Sequence, residues 1–350
     1  MARQIIDTTT NNGAYIGDPA KVAFGKVNDN FEELYQKAAD LAQAVAKSSN
    51  LLINGDFRVW QNGTGFVADG YSADMWSIAS SGASYNAYRQ ASVGEGISSG
   101  FALAVAVSAS GTGLNVRQRV ENIQTVAGGR YTLSFKAKGN FGGMGLACRF
   151  TQNFGSGGSA SVGIPGVTSN LTTSIQKFSF TFDAPSAAGK TVGANSFFEV
   201  IFDFLGTGTY QISDVKLVPG ENAGDFDSLG DAYETLRCMR HFQKSYDLAD
   251  VPGTSTRVGA YVSGILNGYF LSAPIPPFLV PMRATPAVTI YAARNGQAGN
   301  GSEVNAGGVF VANRVITAGN IGQKSFQAGG ANTLTAGSTI EFHWTANARL

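Results

Sequence analysis

Five carboxylates, Asp69, Asp74, Asp203, Asp214 and Glu199, are the side chains with which this chain would run acid–base chemistry on a glycosidic bond. Such hydrolysis uses acids in pairs, and two acids can meet from anywhere in a sequence. Nothing else catalytic accompanies them. The only histidines, His241 and His343, lie about a hundred residues apart beside Phe242, and beside Phe342 and Trp344, and read as structural side chains. There is no Gly-x-Ser-x-Gly elbow, no His-Glu-x-x-His and no glycine loop for phosphate after a strand. A nucleophile–base pair therefore has no residues to name. Cys148 and Cys238 match no metal-ligand spacing and read as buried thiols. The expectation is a protein that is not an enzyme.

Binding is the other chemistry available. Sugars need exposed aromatic rings over their C–H faces and amides, carboxylates or guanidiniums for their hydroxyls. Tyr85, Tyr88 and Arg89 are candidates in the first β-rich region, and Tyr261, Tyr269 and Trp344 in the second. Trp60 and Trp76 sit in apolar patterns and are assigned to the core. Tyr85 and Tyr88, three apart, cannot share one face of a regular strand, so exposing one requires a bulge or turn. Asn54, Asp56 and Asp214 offer oxygen ligands for a structural Ca²⁺, because they fall at first and last strands expected to lie side by side. Ordinary turn and strand-end roles are the favoured reading of the same side chains, and no other cofactor is expected.

These side chains need a scaffold, and from Leu51 to about Pro219 it is written in strands. VRQRV, RYTLSFKAKG, KFSFTFDAP, FFEVIFDFLG and YQISDVKLVPG alternate apolar and polar residues, with glycine clusters between them. Residues 51–220 are read as a jelly-roll β-sandwich of about eight strands. Residues 228–246 switch to a helical period through Leu229, Ala232, Tyr233, Leu236, Met239 and Phe242, with Ser228 as cap, inside a linking segment of 221–250. Residues 251–350 read as a second, smaller β-sandwich, with Pro274, Pro276, Pro277, Pro281 and Pro286 marking an extended surface crossing.

Ahead of all this, residues 18–50 form one helix with a heptad seam of Phe24, Val27, Phe31, Leu34, Ala38, Leu41 and Val45. Asp18 is placed to cap its first turn and Pro19 to occupy its first position. Tyr35, Ala42, Ala23 and Ala44 at e and g broaden the apolar face beyond what two strands need. The seam has no helical neighbour in its own sequence, so the expectation is an oligomerising coiled coil, a homotrimer. Residues 1–17 are a polar tail that orders on docking.

Composition sets limits on partners. Of 350 residues 14% are charged, against about 25% in an average domain. The net charge of +1 gives no electrostatic footprint for nucleic acid or an acidic membrane surface. The start MARQIIDTTTNN carries no apolar secretory core, so the chain is expected to be made in a cytoplasm and not to leave by the usual export route, with no membrane insertion.

The run Asn54-Gly55-Asp56-Phe57 with Trp60, followed by Tyr71, Asp74 and Trp76, resembles a motif of tailed-bacteriophage fibre proteins. GDPAKVAFGKVNDNFEELY upstream resembles their N-terminal segments, and LRCMRHFQKSYD and VPMRATPAVTIY resemble their C-terminal portion. VRQRV through YQISDVKLVPG is also similar to jelly-roll carbohydrate-binding modules. His241-Phe242 stand where the group more often has two tyrosines. The resemblance implies a virion tail fibre made in the host cytoplasm. Its residues 1–17 dock on a tail or adaptor protein, and its tip at 251–350 meets a host surface polysaccharide. A structural head fibre or decoration protein without a receptor site, or a polysaccharide depolymerase, are the alternatives. Fold alone implies no ligand.

Overall fold

A computed structural model describes residues 6–11, 13–14, 16–48, 50–266, 269–271, 276–330, 335 and 337–350; the side chains of 38–48 and 264–271 lie outside that description. The protein is mainly β, with two α-helices and three sheets among the described residues. No described helix is long and apolar enough to cross a membrane.

Helix α1 (Ala20–Ser48) has 29 residues, a length of about 44 Å. The Pro19 carbonyl accepts from the amides of Val22 and Ala23. Asp18, expected as the cap, instead accepts from the Asp7 amide at 2.8 Å and from Lys26 Nζ at 2.6 Å. Hydrogen bonds from Thr10 and Thr9 hold the Asp7 carboxyl well below the usual carboxylate range. Gly17 bonds back to Thr10 and Asp18 to Asp7, so the described part of the tail closes into a loop at the helix start. In a single chain the seam faces solvent: Phe24 is 69%, Phe31 53% and Leu34 60% exposed. Val27 is half-buried, whereas the side chains of Ala38, Leu41 and Val45 lie outside the description.

Twelve strands follow: β1 (Gly65–Phe66), β2 (Gly70–Tyr71), β3 (Ser77–Ser81), β4 (Ser84–Ala91), β5 (Phe101–Ala109), β6 (Gly113–Glu121), β7 (Gly129–Gly139), β8 (Met144–Asn153), β9 (Val162–Leu171), β10 (Gln176–Ala184), β11 (Phe197–Phe204) and β12 (Gly208–Pro219). They form two six-stranded sheets, ordered β1-β4-β5-β12-β7-β10 and β2-β3-β6-β11-β8-β9, with antiparallel pairing throughout. The period-two residues close the space between the sheets. Phe150 stacks on Phe182 at 4.0 Å, Phe182 lies over Phe198 at 5.9 Å, and Phe135 meets Phe202 edge-on at 5.0 Å. Aromatic pairs of this kind add to the stabilisation from burial itself.

The Asn54–Trp76 motif is a structural clasp. Asn54, at φ 56°, donates to the carbonyls of Val59 and Asp74 and accepts from the Val59 amide. Trp60 Nε1 donates to Phe57 O and Trp76 Nε1 to Asn54 O, while Asp74 receives the Gln61 amide at 2.6 Å. Gly55 bonds β12 through the Val215 amide, and a Cβ on it would stand 2.0 Å from the Val215 carbonyl. Because that obstacle is backbone, Gly55→Ala is expected to cost roughly 2–4 kcal/mol, measurable as a lowered urea midpoint with an unchanged slope.

Helix α2 (Asp231–Met239) is shorter than its sequence period implies. The chain turns at Arg240-His241, and Phe242, read as helical, enters β13 (Phe242–Lys244) opposite Asn347. Gly230 holds the N-cap position without a side-chain bond; Ser228, expected there, contacts Asp56 and Arg58 instead. The remaining strands are β14 (Tyr261–Leu266), β15 (Tyr269–Leu271), β16 (Ala287–Ala292), β17 (Asn300–Val304), β18 (Phe310–Val315), β19 (Thr317–Gly319), β20 (Gln327–Gly330) and β21 (Thr339–Asn347). β13 to β21 are linked by hydrogen bonds into one nine-stranded network. Its hub is β21, long enough to pair β14 and β17 along its first half and β16 and β13 along its second. β14 pairs β21 through residues 261–264 and β15 through residues 265–266, and so connects that group to β15, β20 and β19.

The two β-rich parts are tied by polar bonds. Gln61 Nε2 donates to Phe242 O, Lys244 Nζ to Gln61 O, and the Tyr71 hydroxyl to Leu350 O at 2.6 Å. The Arg349 guanidinium lies 4.2 Å from the ring centres of both Tyr71 and Phe242.

Candidate functional site

The two outer faces of the sandwich differ. That of the first sheet is closed by loops over β12 and β7, while Asn86 on β4 stays exposed and Tyr88 half-buried. Lys136 Nζ bonds Gly96 O and Asp214, Lys138 pairs with Glu95, and Ser98 donates to Asp214, which fastens residues 92–100 over β12 and β7. Lys216 Nζ reaches Asp225 O and Thr132 Oγ1 reaches Gly220 O, which fastens residues 220–228 beside them. Thr132, Ser134, Ser213, Asp214 and Lys216 are consequently buried.

The second sheet keeps a partly open face, on which Glu199 and Ile201 of the central strand are buried while the flanking guanidiniums stay accessible. Inward Val116, Val120, Phe198 and Phe202 force their alternate neighbours outward, and the register arranges those neighbours in rows across β6, β11 and β8. Glu121 stands opposite Phe197 and Asn153; Arg119 opposite Glu199 and Thr151; Arg117 opposite Ile201 and Arg149; Asn115 opposite Asp203 and Ala147. Arg119 Nε bonds Glu199 at 2.8 Å, with its guanidinium 4.3 Å above the Phe197 ring. Arg149 grips Asp203 with two bonds, 2.7 and 3.1 Å. The Asp203 bond and charge raise Arg149 above the usual guanidinium value. The side chains of Arg117, Arg119 and Arg149 remain 29%, 31% and 47% exposed, whereas Ile201, flanked in register by Arg117 and Arg149, is buried. These rows present planar donors and paired acceptors beside one ring, the group set that hydrogen-bonds vicinal sugar hydroxyls. Glu199 and Asp203, four residues apart on one strand, are separated by about 13 Å, beyond the ~5–9.5 Å of a hydrolytic carboxylate pair. Asp69 caps the Ser80 amide, which lowers its carboxyl. Asp74 is buried on Gln61, and Asp214 is held by Lys136 and Ser98.

The sugar-binding candidates read from the sequence lie elsewhere. Tyr85 is buried between the sheets with its hydroxyl on Asp69, and burial raises that hydroxyl, so it is core and not a platform. Tyr88 points outward on the first sheet, half-buried; Arg89 is exposed and stacks at 4.7 Å on Phe101. Trp344 is likewise core, packed against Phe278, Phe326 and Tyr261, which removes it from the surface. Tyr261 is half-buried in the same group, and the Tyr269 side chain lies outside the description. No bulge separates Tyr85 from Tyr88; the strand simply sends them to opposite faces.

Asn54, Asp56 and Asp214 are brought near by the Val215 amide donating to Gly55 O, with Asn54 and Asp56 in a turn outside every described strand rather than on a first strand, and they are not offered to a cation. Asn54 serves backbone groups, Asp56 pairs with Arg58, and Asp214 with Lys136. Among the described residues no group of three or more His, Cys, Asp or Glu is placed to hold a metal ion. His343 stacks on Tyr246 at 3.8 Å with Nδ1 on Ser245, a structural position. Both cysteines are free and buried.

No family model matches the chain, and no curated protein sequence matches it. Solved structures do. A family-4 carbohydrate-binding module aligns at TM-score 0.33 and 23% identity over 48% of this chain and 98% of its own. The N-terminal cellulose-binding domain of β-1,4-glucanase C from Cellulomonas fimi gives 0.31 and 21% over 46% and 97%. The enzymatically active domain of tailspike protein 4 from bacteriophage CBA120 gives 0.33 and 13% over 49% of this chain and 21% of that one. At TM-scores near a third, these likenesses carry no ligand or activity to this chain.

Proposed function

We propose that this chain is a bacteriophage tail fibre that attaches the virion to a host surface glycan by multivalent, non-covalent binding. The observation that carries the glycan reading is the partly open face of the second sheet, with its rows of guanidiniums and carboxylates beside Phe197. The exposed α1 seam supports assembly into a homotrimer, in which three weak sites act together. The fibre reading rests on the sequence motifs, with the tail at residues 1–17 as the virion-docking end. This reading puts the receptor contact on the sandwich of 51–220 rather than on the tip at 251–350, and the exposed guanidiniums of Arg117, Arg119 and Arg149 support it.

The test is retention of the full chain on immobilised host capsule or lipopolysaccharide. Arg119→Ala and Arg149→Ala are each expected to weaken one site about tenfold, with a melting temperature within a few degrees of the parent. Undiminished retention of both variants refutes the site. Release of reducing sugar from the polysaccharide would make the chain a depolymerase, and particles that fall apart on its deletion would make it a structural virion part.

A further inference from the structure

The Arg119 row does not end at the sheet. It opens into a cleft of 340 Å³ between the end of β6 and the end of α2, lined by Gln118, Arg119, Glu121, Arg237, Arg240 and His241. That volume suits one sugar ring. Its charges are not balanced. Arg240 bonds Glu121 at 2.6 Å and Arg283 stands 3.8 Å from the same carboxylate, while Arg119 holds Glu199 and Arg237 holds Glu234. Four guanidiniums thus share three carboxylates, and Glu121 alone serves two of them.

His241 supplies the second observation. It is 4% exposed, lines the cleft, and its Nδ1 has no hydrogen-bond partner. A buried polar atom without a partner is costly, and a ligand that enters can satisfy it. Burial first, then Arg240, Arg283, Arg349 and Arg237, hold the ring neutral, with its pKa lowered to about 3. A positive field converges on an uncharged ring at the cleft wall.

We infer that this cleft receives the carboxylate of an acidic sugar, so that the bound glycan is an anionic polysaccharide of the uronic-acid type. Glu121 occupies the place of that carboxylate in the free protein, and Arg119 joins the cleft to the open face. This inference rests on the glycan reading above and adds the class of sugar.

The experiment compares the full chain with a galacturonic-acid tetrasaccharide and the matching neutral galactose tetrasaccharide, by calorimetry and by the His241 imidazole signals in NMR. The acidic sugar is expected to bind at least tenfold tighter, with the gap shrinking as salt rises. Binding is expected to raise the His241 pKa. Glu121→Gln, nearly isosteric, is expected to widen the preference several-fold by removing the internal competitor, and Arg119→Gln to narrow it. Equal affinity for the two sugars overturns the inference and leaves the glycan reading standing; binding of neither overturns both. An unchanged preference in a folded Glu121→Gln chain, or displacement by inorganic phosphate but not by free galacturonate, overturns the cleft assignment.

Discussion

The Phe31→Asp/Leu34→Asp double variant is expected to fall to one third of the parent mass in light scattering and to lose avid binding to a glycan surface. In the trimer proposed above the seam would be buried. Phe24, Phe31 and Leu34 are more than half exposed on a helix of 29 residues, and burying each such side chain contributes about 1.5–3 kcal/mol. In a trimer the two substitutions place six carboxylates in the seam, each costing several kcal/mol unless it picks up a proton. No surviving a/d contact offsets that. Three tethered weak sites gain ~10²–10⁴ in apparent affinity over one, so retention on a polysaccharide surface should fall by that order while affinity for a soluble tetrasaccharide stays the same. A chain beginning at Leu51 should behave like the double variant. A monomeric parent at micromolar concentration, or a double variant that keeps its mass, sinks the stalk.

The sandwich strands were legible because their information is local. Phe178, Phe180 and Phe182 repeat every second residue toward the core, and glycine clusters such as Gly128-Gly129 and Gly142-Gly143 lie between runs. The helix that stops at Met239 was not, because no glycine or proline separates Met239 from Phe242; the stop comes from β21, about a hundred residues on, which claims Phe242 as a strand partner. The same strand is the hub that pairs β13, β14, β16 and β17. Two of the aromatic candidates, Tyr85 and Trp344, are buried, which the sequence alone does not reveal. Tyr85 shares parity with Ala87 and faces inward, but an aromatic among polar neighbours looks like a platform in sequence. Conversely, Arg117, Arg119, Glu199 and Asp203 look like ordinary solvent-facing alternation. Only the register that sets Arg119 against Glu199, and the loops that close the opposite face, single them out. The motif at Asn54–Trp76 was recognisable as a motif, and its work is to clasp the fold.

Acid is expected to destabilise the protein well before its carboxylates titrate. His241 and His343 are buried, and burial pushes both below the ordinary histidine value, His241 to about 3. An unfolded histidine titrates near pH ~6.5. Between that value and the folded pKa, the unfolded chain binds a proton that the folded chain does not, so stability is full above pH ~6.5 and falls with pH below it. The slope is about 1.4 kcal/mol per pH unit for each histidine, so His241 alone removes roughly 3 kcal/mol by pH ~4.5. The carboxylates act in another window. Arg257 and Arg294 on Glu341, and Thr335 and Arg314 on Glu303, lower both acids, so their contribution is lost only below the ordinary glutamate range. Asp74 works in the opposite sense. Its burial outweighs Arg349, Gln61 and Lys244 and raises it, so on acidification the folded chain protonates there first and gains stability relative to the unfolded one. Urea melts at half-unit steps between pH ~7.5 and ~4.5 separate these terms. His241→Phe keeps a ring of similar size that cannot take a proton, and its profile should lose about 1.4 kcal/mol per unit of the parent's slope. Parallel profiles for the variant and the parent would mean that His241 takes its proton inside the fold, at a cost the surrounding guanidiniums should not allow.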